Sequence, residues 1–181
     1  MQKKQIKYCI IAVISTVVAI LLDQWTKFLS VTHLKNKAAI ELVKGVFELQ
    51  YLENKGAAFG IMQNQQVFFL ISGILILLVA TYVYIKLPQT KRFHLLRICI
   101  VLIISGAIGN MIDRLRFQYV IDFFYFKLID FPIFNVADIY VTVSAIGLII
   151  FMLFYYKDEE VDALSATISI RKKKTQEDCN E

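Results

Sequence analysis

Four apolar runs, each about as long as a bilayer-crossing helix, leave this chain little choice but a membrane fold. They cover residues 6–22, 67–87, 95–112 and 139–156. A hydrocarbon core of about 30 Å takes roughly 17–25 apolar residues per helix, so each run is read as one span. Arg97 falls inside the third run but near its start, where its long side chain can reach the interface. The 57% hydrophobic content and mean hydropathy of +0.59 sit in blocks, not in the scattered stripes of a soluble core. The expected fold is an all-α membrane protein with four transmembrane helices. Residues 1–157 form a single polytopic domain, and 158–181 form a charged cytoplasmic tail that is disordered or lies on the membrane surface.

The formal charge of +5 does not point to nucleic acid, because the basic residues stand at the ends of apolar runs instead of forming a stripe on a folded face. Anionic lipid accounts for them better. Lys3, Lys4 and Lys7 before an apolar run have the look of a secretory leader, but no small-x-small cleavage site precedes Asp23 and three more spans follow. The run is therefore read as a retained first helix. With both termini in the cytoplasm, Lys86, Lys91, Arg92, Arg97, Lys157 and the block from Arg171 to Lys174 join these lysines inside, the larger part of the 20 basic residues. Trp25, Phe28, Tyr155 and Tyr156 then stand at helix ends, as interfacial aromatics do. Cys9, Cys99 and Cys179 show no CxxC spacing, so neither a disulfide framework nor a zinc site is expected.

The first outer segment, 23–66, is too long for a simple turn. Two β-prone runs, 40–43 and 46–51, flank Lys44 and Gly45, which predicts a small hairpin against the outer leaflet. Phe47, Leu49 and Tyr51 alternate with Glu48 and Gln50, so the odd positions are expected on lipid or substrate and the even ones in water. An ordinary surface hairpin fits equally well.

Ionisable and amide residues gather at the outer ends of the first, third and fourth spans, where each carries a desolvation cost. Asp23, Lys27, Asn54, Asn110, Asp113, Arg114, Asp122, Asn135 and Asp138 all fall on one side of the membrane in this topology and can converge. His33 and His94 fall on opposite sides, which weakens Ser/His and Cys/His chemistry, and metal-ligand spacing is absent. Aspartate is what remains. Two carboxyls sharing a proton can deprotonate a water while protonating a carbonyl or a leaving amine, which hydrolyses a peptide without a covalent intermediate.

The order and spacing of these residues resemble the lipoprotein signal peptidase family across all four spans. Asp23-Gln24-Trp25-Thr26-Lys27 resembles its D-Q-x-T-K element, and Asn54-Lys55-Gly56-Ala57-Ala58-Phe59-Gly60 its N-x-G-x-A-F element. Gly109-Asn110-Met111-Ile112-Asp113-Arg114 resembles G-N-x-x-D-R, Val120-Ile121-Asp122-Phe123 resembles V-x-D-F, and Phe134-Asn135-Val136-Ala137-Asp138 resembles F-N-x-A-D. Each is weak alone; five in the right order are specific. The resemblance implies Asp122 and Asp138 as the catalytic pair, with Asp23, Lys27, Asn54, Gly56, Asn110, Asp113, Arg114, Asn135 and Ala137 binding substrate or supporting the site. The segment 123–134 between the two aspartates is rich in phenylalanine and fits either an interfacial helix or a loop.

Each residue also has a plainer reading. Asn135 and Asp138 stand three apart at a helix start, as in a capping arrangement. Asp122, framed by Ile121 and Phe123, can sit exposed at a loop edge, although an apolar frame would raise its pKa as an acid requires. Asp113 and Arg114 fit a structural pair or a partner for a buried carbonyl. Asp23 and Lys27, spaced i, i+4, fit a local ion pair. The asparagines can satisfy helix ends or hold the scissile peptide, and Gly56, Gly60, Gly106 and Gly109 permit turns or close approach of backbones or substrate.

The resemblance further implies a prolipoprotein substrate whose lipobox cysteine carries diacylglycerol, cut on the N-terminal side of that cysteine, with no cofactor or metal. Membrane lipid and the lipidated prolipoprotein are the expected partners, and the chain is taken as a monomer in the bacterial cytoplasmic membrane. A proton or ion transporter is the first rival, but no ladder of ionisable residues crosses the spans. A non-catalytic scaffold, indifferent to loss of both aspartates, is the second.

Overall fold

The computed structural model describes residues 2–56 and 62–168. Ala57 to Gly60 of the N-x-G-x-A-F element, the Arg171 to Lys174 block and Cys179 lie outside the described residues. Among the described residues four helices are long and apolar enough to cross a membrane: α1 (Gln2–Leu34), α2 (Gln66–Lys86), α3 (His94–Phe117) and α4 (Val136–Ile150), the last extended by a π-helical turn, Phe151–Tyr155. Strands β1 (Ile40–Val43), β2 (Phe47–Asn54) and β3 (Val120–Tyr125) form an antiparallel sheet in the order β1-β2-β3. Helix α3 is central and packs against α1, α2 and α4.

The bundle is inverted relative to a soluble protein. Ile14, Val18, Leu21 and Leu22 of α1 are exposed, while Ala19, Asp23, Lys27, Ser30 and Leu34 form a buried stripe at i+3 and i+4 spacing. Apolar side chains face lipid and the polar stripe faces α3. Close packing of α3 against α4 and α1 depends on two glycines. A Cβ at Gly106 would stand 2.5 Å from the Ala137 carbonyl oxygen, and one at Gly109 would stand 2.6 Å from the Asp23 carboxylate. At the opposite end of the bundle the core is apolar, with Tyr84, Leu87, Phe93, Leu96, Ile100 and Tyr156 packed together.

Three features differ from expectation. Helix α1 runs 33 residues, about 50 Å at 1.5 Å per residue, instead of ending at 22. The charges of Asp23 and Lys27 do not break it, because they neutralise each other across one turn at 2.9 Å. The phenylalanine-rich segment is neither helix nor simple loop: its first part is β3, pairing with β2, and Phe134 returns to bridge Phe124. The first part of the tail is ordered as α5 (Asp158–Ile168), held where Arg92 pairs with Glu160 at 2.9 Å and Leu164 enters the apolar core.

The expected hairpin is present, with a bulge in β1–β2 and another in β2–β3. Its even positions are not uniformly wet. Gln50 is exposed, but Glu48 is buried beneath Lys127, which supplies the counter-charge that alternation alone does not foresee. Phe47 packs against Phe124 and Phe126. On the sheet's rim Leu42, Val43, Leu128 and Ile129 are exposed, as fits a sheet resting on the membrane interface.

Candidate active site

Asp23, Lys27 and Asp113 form a closed electrostatic core. The Lys27 ammonium lies 2.9 Å from Asp23 Oδ2 and 2.9 Å from Asp113 Oδ2. The other carboxylate oxygens are occupied as well: Asp23 Oδ1 accepts from the Ala137 N–H at 2.9 Å, and Asp113 Oδ1 accepts from Gln24 Nε2 at 3.0 Å. The Ile121 N–H donates to Asp113 Oδ2 at 3.2 Å. One cation between two acids thus fastens α1 to α3, α3 to β3 and α1 to the start of α4. Every oxygen is satisfied from within the protein, which is what a buried ionic cluster requires. Asp113 pairs with Lys27 and not with Arg114. The Arg114 guanidinium instead donates to the Gly56 carbonyl at 3.4 Å and lies over the Phe69 ring.

Asp122 and Asp138 are held differently. Asp122 Oδ2 accepts from Asn54 Nδ2 at 2.8 Å, and its Oδ1 accepts from Asn135 Nδ2 at 2.6 Å. Asp138 Oδ1 accepts from Asn110 Nδ2 at 2.7 Å, and its Oδ2 accepts from the Asn135 N–H at 3.1 Å. Among the described residues neither carboxyl has a cation in salt-bridge contact. Both line one cavity of about 410 Å³.

Local structure explains these positions. Helix α3 ends at Gln118, whose left-handed φ of 64° turns the chain directly into β3. The strand register sets Leu52 opposite Asp122 and Asn54 opposite Val120, so Asn54 and Asp122 are diagonal neighbours. Asn135 caps α4 by accepting the Asp138 N–H at 3.0 Å while Asp138 accepts from the Asn135 N–H, a reciprocal capping box. The capping and functional readings of this pair coincide, since the side chain that caps the helix also reaches Asp122.

A relay orients the amides. Lys27 Nζ donates to Asn110 Oδ1 at 3.0 Å, and Asn135 Nδ2 donates to the same oxygen at 3.2 Å. That fixes the Asn110 NH₂ toward Asp138. Burial pushes the Asp122 carboxyl up, to about 7, and the Asp138 charge pushes in the same direction against the Asn54 and Asn135 amides and Lys27. Because folded Asp122 holds its proton more tightly than the unfolded chain does, its contribution to stability is complete below about pH 4 and is lost as pH rises toward 7. The same shift lets Asp122 keep a proton up to near-neutral pH. If Asp122 is the acid of a peptide hydrolysis, kcat/KM should decline above about pH 7. A kcat/KM profile still flat at pH 9 would count against Asp122 as the acid.

All eleven residues singled out from sequence border this site. Asn54, Gly56, Asn110, Arg114, Asp122 and Asp138 line the cavity, while Asp23, Lys27, Asp113, Asn135 and Ala137 lie behind it. Sequence reasoning gave no role to Gln24, which donates to Asp113, Asp23 and the Gly109 carbonyl; its adjacency to Asp23 was the available signal. It also missed the apolar wall made by Phe131, Pro132, Ile133, Ile139 and Val143.

The family profile described as signal peptidase (SPase) II matches residues 15–154 of the chain. A lipoprotein signal peptidase of Streptococcus thermophilus (strain CNRZ 1066) is 42% identical over 159 residues, which span 88% of this chain and 97% of that protein. One from Clostridium tetani (strain Massachusetts / E88) is 43% identical over 145 residues, 78% of this chain and 91% of that protein. A solved structure described as a bacterial membrane enzyme superposes with a TM-score of 0.73 at 33% identity, covering 81% of this chain and 92% of its own.

Proposed function

The chain belongs to the signal peptidase II family and is a multi-pass bacterial membrane protease, and on that premise we propose that it removes signal peptides from diacylglyceryl-modified prolipoproteins with Asp122 and Asp138 as its catalytic pair. The observation that carries this reading is the contrast between two pairs of aspartates. Asp23 and Asp113 share the ammonium of Lys27. Among the described residues Asp122 and Asp138 are held only by amide donors, and they border the same cavity.

The chemistry is that of a shared proton. The ionised carboxylate takes a proton from a water molecule as its oxygen attacks the scissile carbonyl carbon, and the protonated carboxyl delivers its proton to the carbonyl oxygen. A tetrahedral diol results. The carboxyl that took the water proton then passes it to the amide nitrogen while the other carboxylate takes one from a diol hydroxyl, so the C–N bond breaks to give an acid and an amine and one proton again remains on the pair. Asn54, Asn110 and Asn135 hold the carboxylates in position, so little reorganisation is needed during the reaction. Arg114 and Gly56 border the cavity where the substrate backbone would run.

Lipid on the substrate has a physical role. Phe131, Ile133, Ile139 and Val143 make one side of the cavity apolar, which suits the acyl chains beside the lipidated cysteine. Anchoring those chains sets the depth of the peptide bond and makes its encounter with the aspartates effectively intramolecular. In this reading both termini are cytoplasmic, the aspartates lie near the outer leaflet and a monomer suffices. Purified protein should cut a diacylglyceryl prolipoprotein immediately before its cysteine and leave the unlipidated precursor intact. Cleavage of both forms at equal rates would remove the lipid from the recognition scheme, and cleavage of neither would sink the proposal.

A further inference from the structure

At the other end of the bundle, α1 and α3 enclose a second cavity of about 330 Å³. Tyr8, at its border, is about 22 Å along α1 from Asp23 at 1.5 Å per residue, and none of its lining residues borders the aspartate cavity. Its walls are two facing helical stripes. Ile11, Ala12 and Ser15 of α1 oppose Ile98 and Leu102 of α3, while Tyr8, His94 and Arg97 gather toward the helix termini.

Arg97 is the unusual member. It is only 6% exposed, and no carboxylate pairs with it among the described residues. Its Nη atoms donate to the carbonyls of Tyr84, Leu87 and Pro88 at 3.3, 2.8 and 3.3 Å. The guanidinium lies between the rings of Tyr8 and Tyr84, 4.6 and 4.9 Å from their centroids. Its Nε is buried without a hydrogen-bond partner among the described residues. Carbonyl dipoles and ring faces solvate this charge in part but supply no counter-charge. His94 is exposed beside it, its Nε2 2.9 Å from the Tyr8 hydroxyl, and Lys7 and Lys91 are near in sequence.

The geometry points to a binding site for an anionic phospholipid, with its headgroup phosphate at Arg97 and His94 and one acyl chain along the groove between Ile11 and Ile98. An acyl chain gains little by leaving bulk lipid for an apolar groove, so selection must come from the headgroup. A buried cation without a carboxylate, at membrane-interface depth and next to further basic residues, selects for net negative charge. The inference needs the bundle to lie in a membrane; it does not depend on the chemistry assigned to the aspartates.

Native mass spectrometry of the purified full-length protein, titrated with phosphatidylglycerol or phosphatidylcholine, tests it. Phosphatidylglycerol should be retained in preference, and Arg97→Gln should weaken its retention about tenfold, the loss expected for a charge-assisted hydrogen bond. Ser15→Phe fills the groove and leaves the charge in place, and it should weaken retention as well. Because Arg97 also ties down the end of α2, Ser15→Phe decides alone if Arg97→Gln does not fold. Equal retention of the two lipids, or undiminished phosphatidylglycerol on the Ser15→Phe protein, overturns the site. Displacement by inorganic phosphate at lipid-like concentrations overturns it too, by reducing it to a simple anion pocket. Prolipoprotein cleavage is measured on the same preparations. A wild type that cuts yet shows no lipid preference defeats this inference and leaves the peptidase reading standing.

Discussion

Replacing Asp122 or Asp138 by Asn is expected to lower cleavage of a diacylglyceryl prolipoprotein at least about a thousandfold, the order seen when one member of a catalytic unit is removed. Asparagine keeps the size and planarity of the side chain but can neither take a proton from water nor share one with its neighbour. The two losses should not add, because either carboxyl alone is as helpless as none; the double variant should cut no more slowly than the worse single one. Asp113→Asn is the informative control. It is as buried as Asp122, but its oxygens are filled by Lys27, Gln24 and the Ile121 N–H, so its loss should slow the enzyme through geometry and leave measurable activity. Initial rates are compared on preparations with matched melting temperatures. Wild-type rates in both Asp122→Asn and Asp138→Asn would end the catalytic assignment.

The contrast between these aspartates shows what the sequence could reveal. Four spans were legible because length and hydropathy over about 20 residues are decisive in a bilayer, and the hairpin was legible from alternation and Lys44-Gly45. The end of α1 was not. A charge in an apolar run reads as an interface, and only the three-dimensional partner Asp113 shows that Lys27 is neutralised inside the protein. The strand β3 was hidden for a similar reason: one edge of it is paired with β2 and it is buried from Val120 to Phe123, so it shows no polar alternation and resembles a helix or an interfacial loop. Asn135 could be read as a cap from its spacing to Asp138, but that the same amide reaches Asp122 depends on β3 lying beside the start of α4. Gln24 has no role in the sequence reading because a polar residue at a helix end has many ordinary uses, and two of its three partners lie 85 and 89 positions away and leave no local pattern; Arg97, near the start of a span, reads as reaching the interface, whereas it is buried against the carbonyls at the end of α2.

Lys27→Met should destabilise the fold by about 3–5 kcal/mol, the cost of removing one partner from a buried ionic cluster. The side chain is 2% exposed and is the only ammonium within 4.0 Å of the Asp23 and Asp113 carboxylates among the described residues. Methionine fills nearly the same volume, so the loss is electrostatic and not a cavity effect. Two acids would then share a buried site with no counter-charge, and one of them would have to take up a proton or draw in water. At about 2–4 °C per kcal/mol for a chain of this size, the melting temperature should fall by roughly 10 °C. Activity should fall further than stability alone explains, because Lys27 also fixes the amide of Asn110 that holds Asp138. A double-mutant cycle separates the two effects. Asp113→Asn on the Lys27→Met background removes one of the stranded charges and should restore part of the lost stability, while cleavage stays low because Asn110 still lacks its Lys27 donor. If Lys27→Met melts within a degree of wild type, the cluster does not hold the site together. If the second substitution lowers stability further, the two acids were never competing for the same cation.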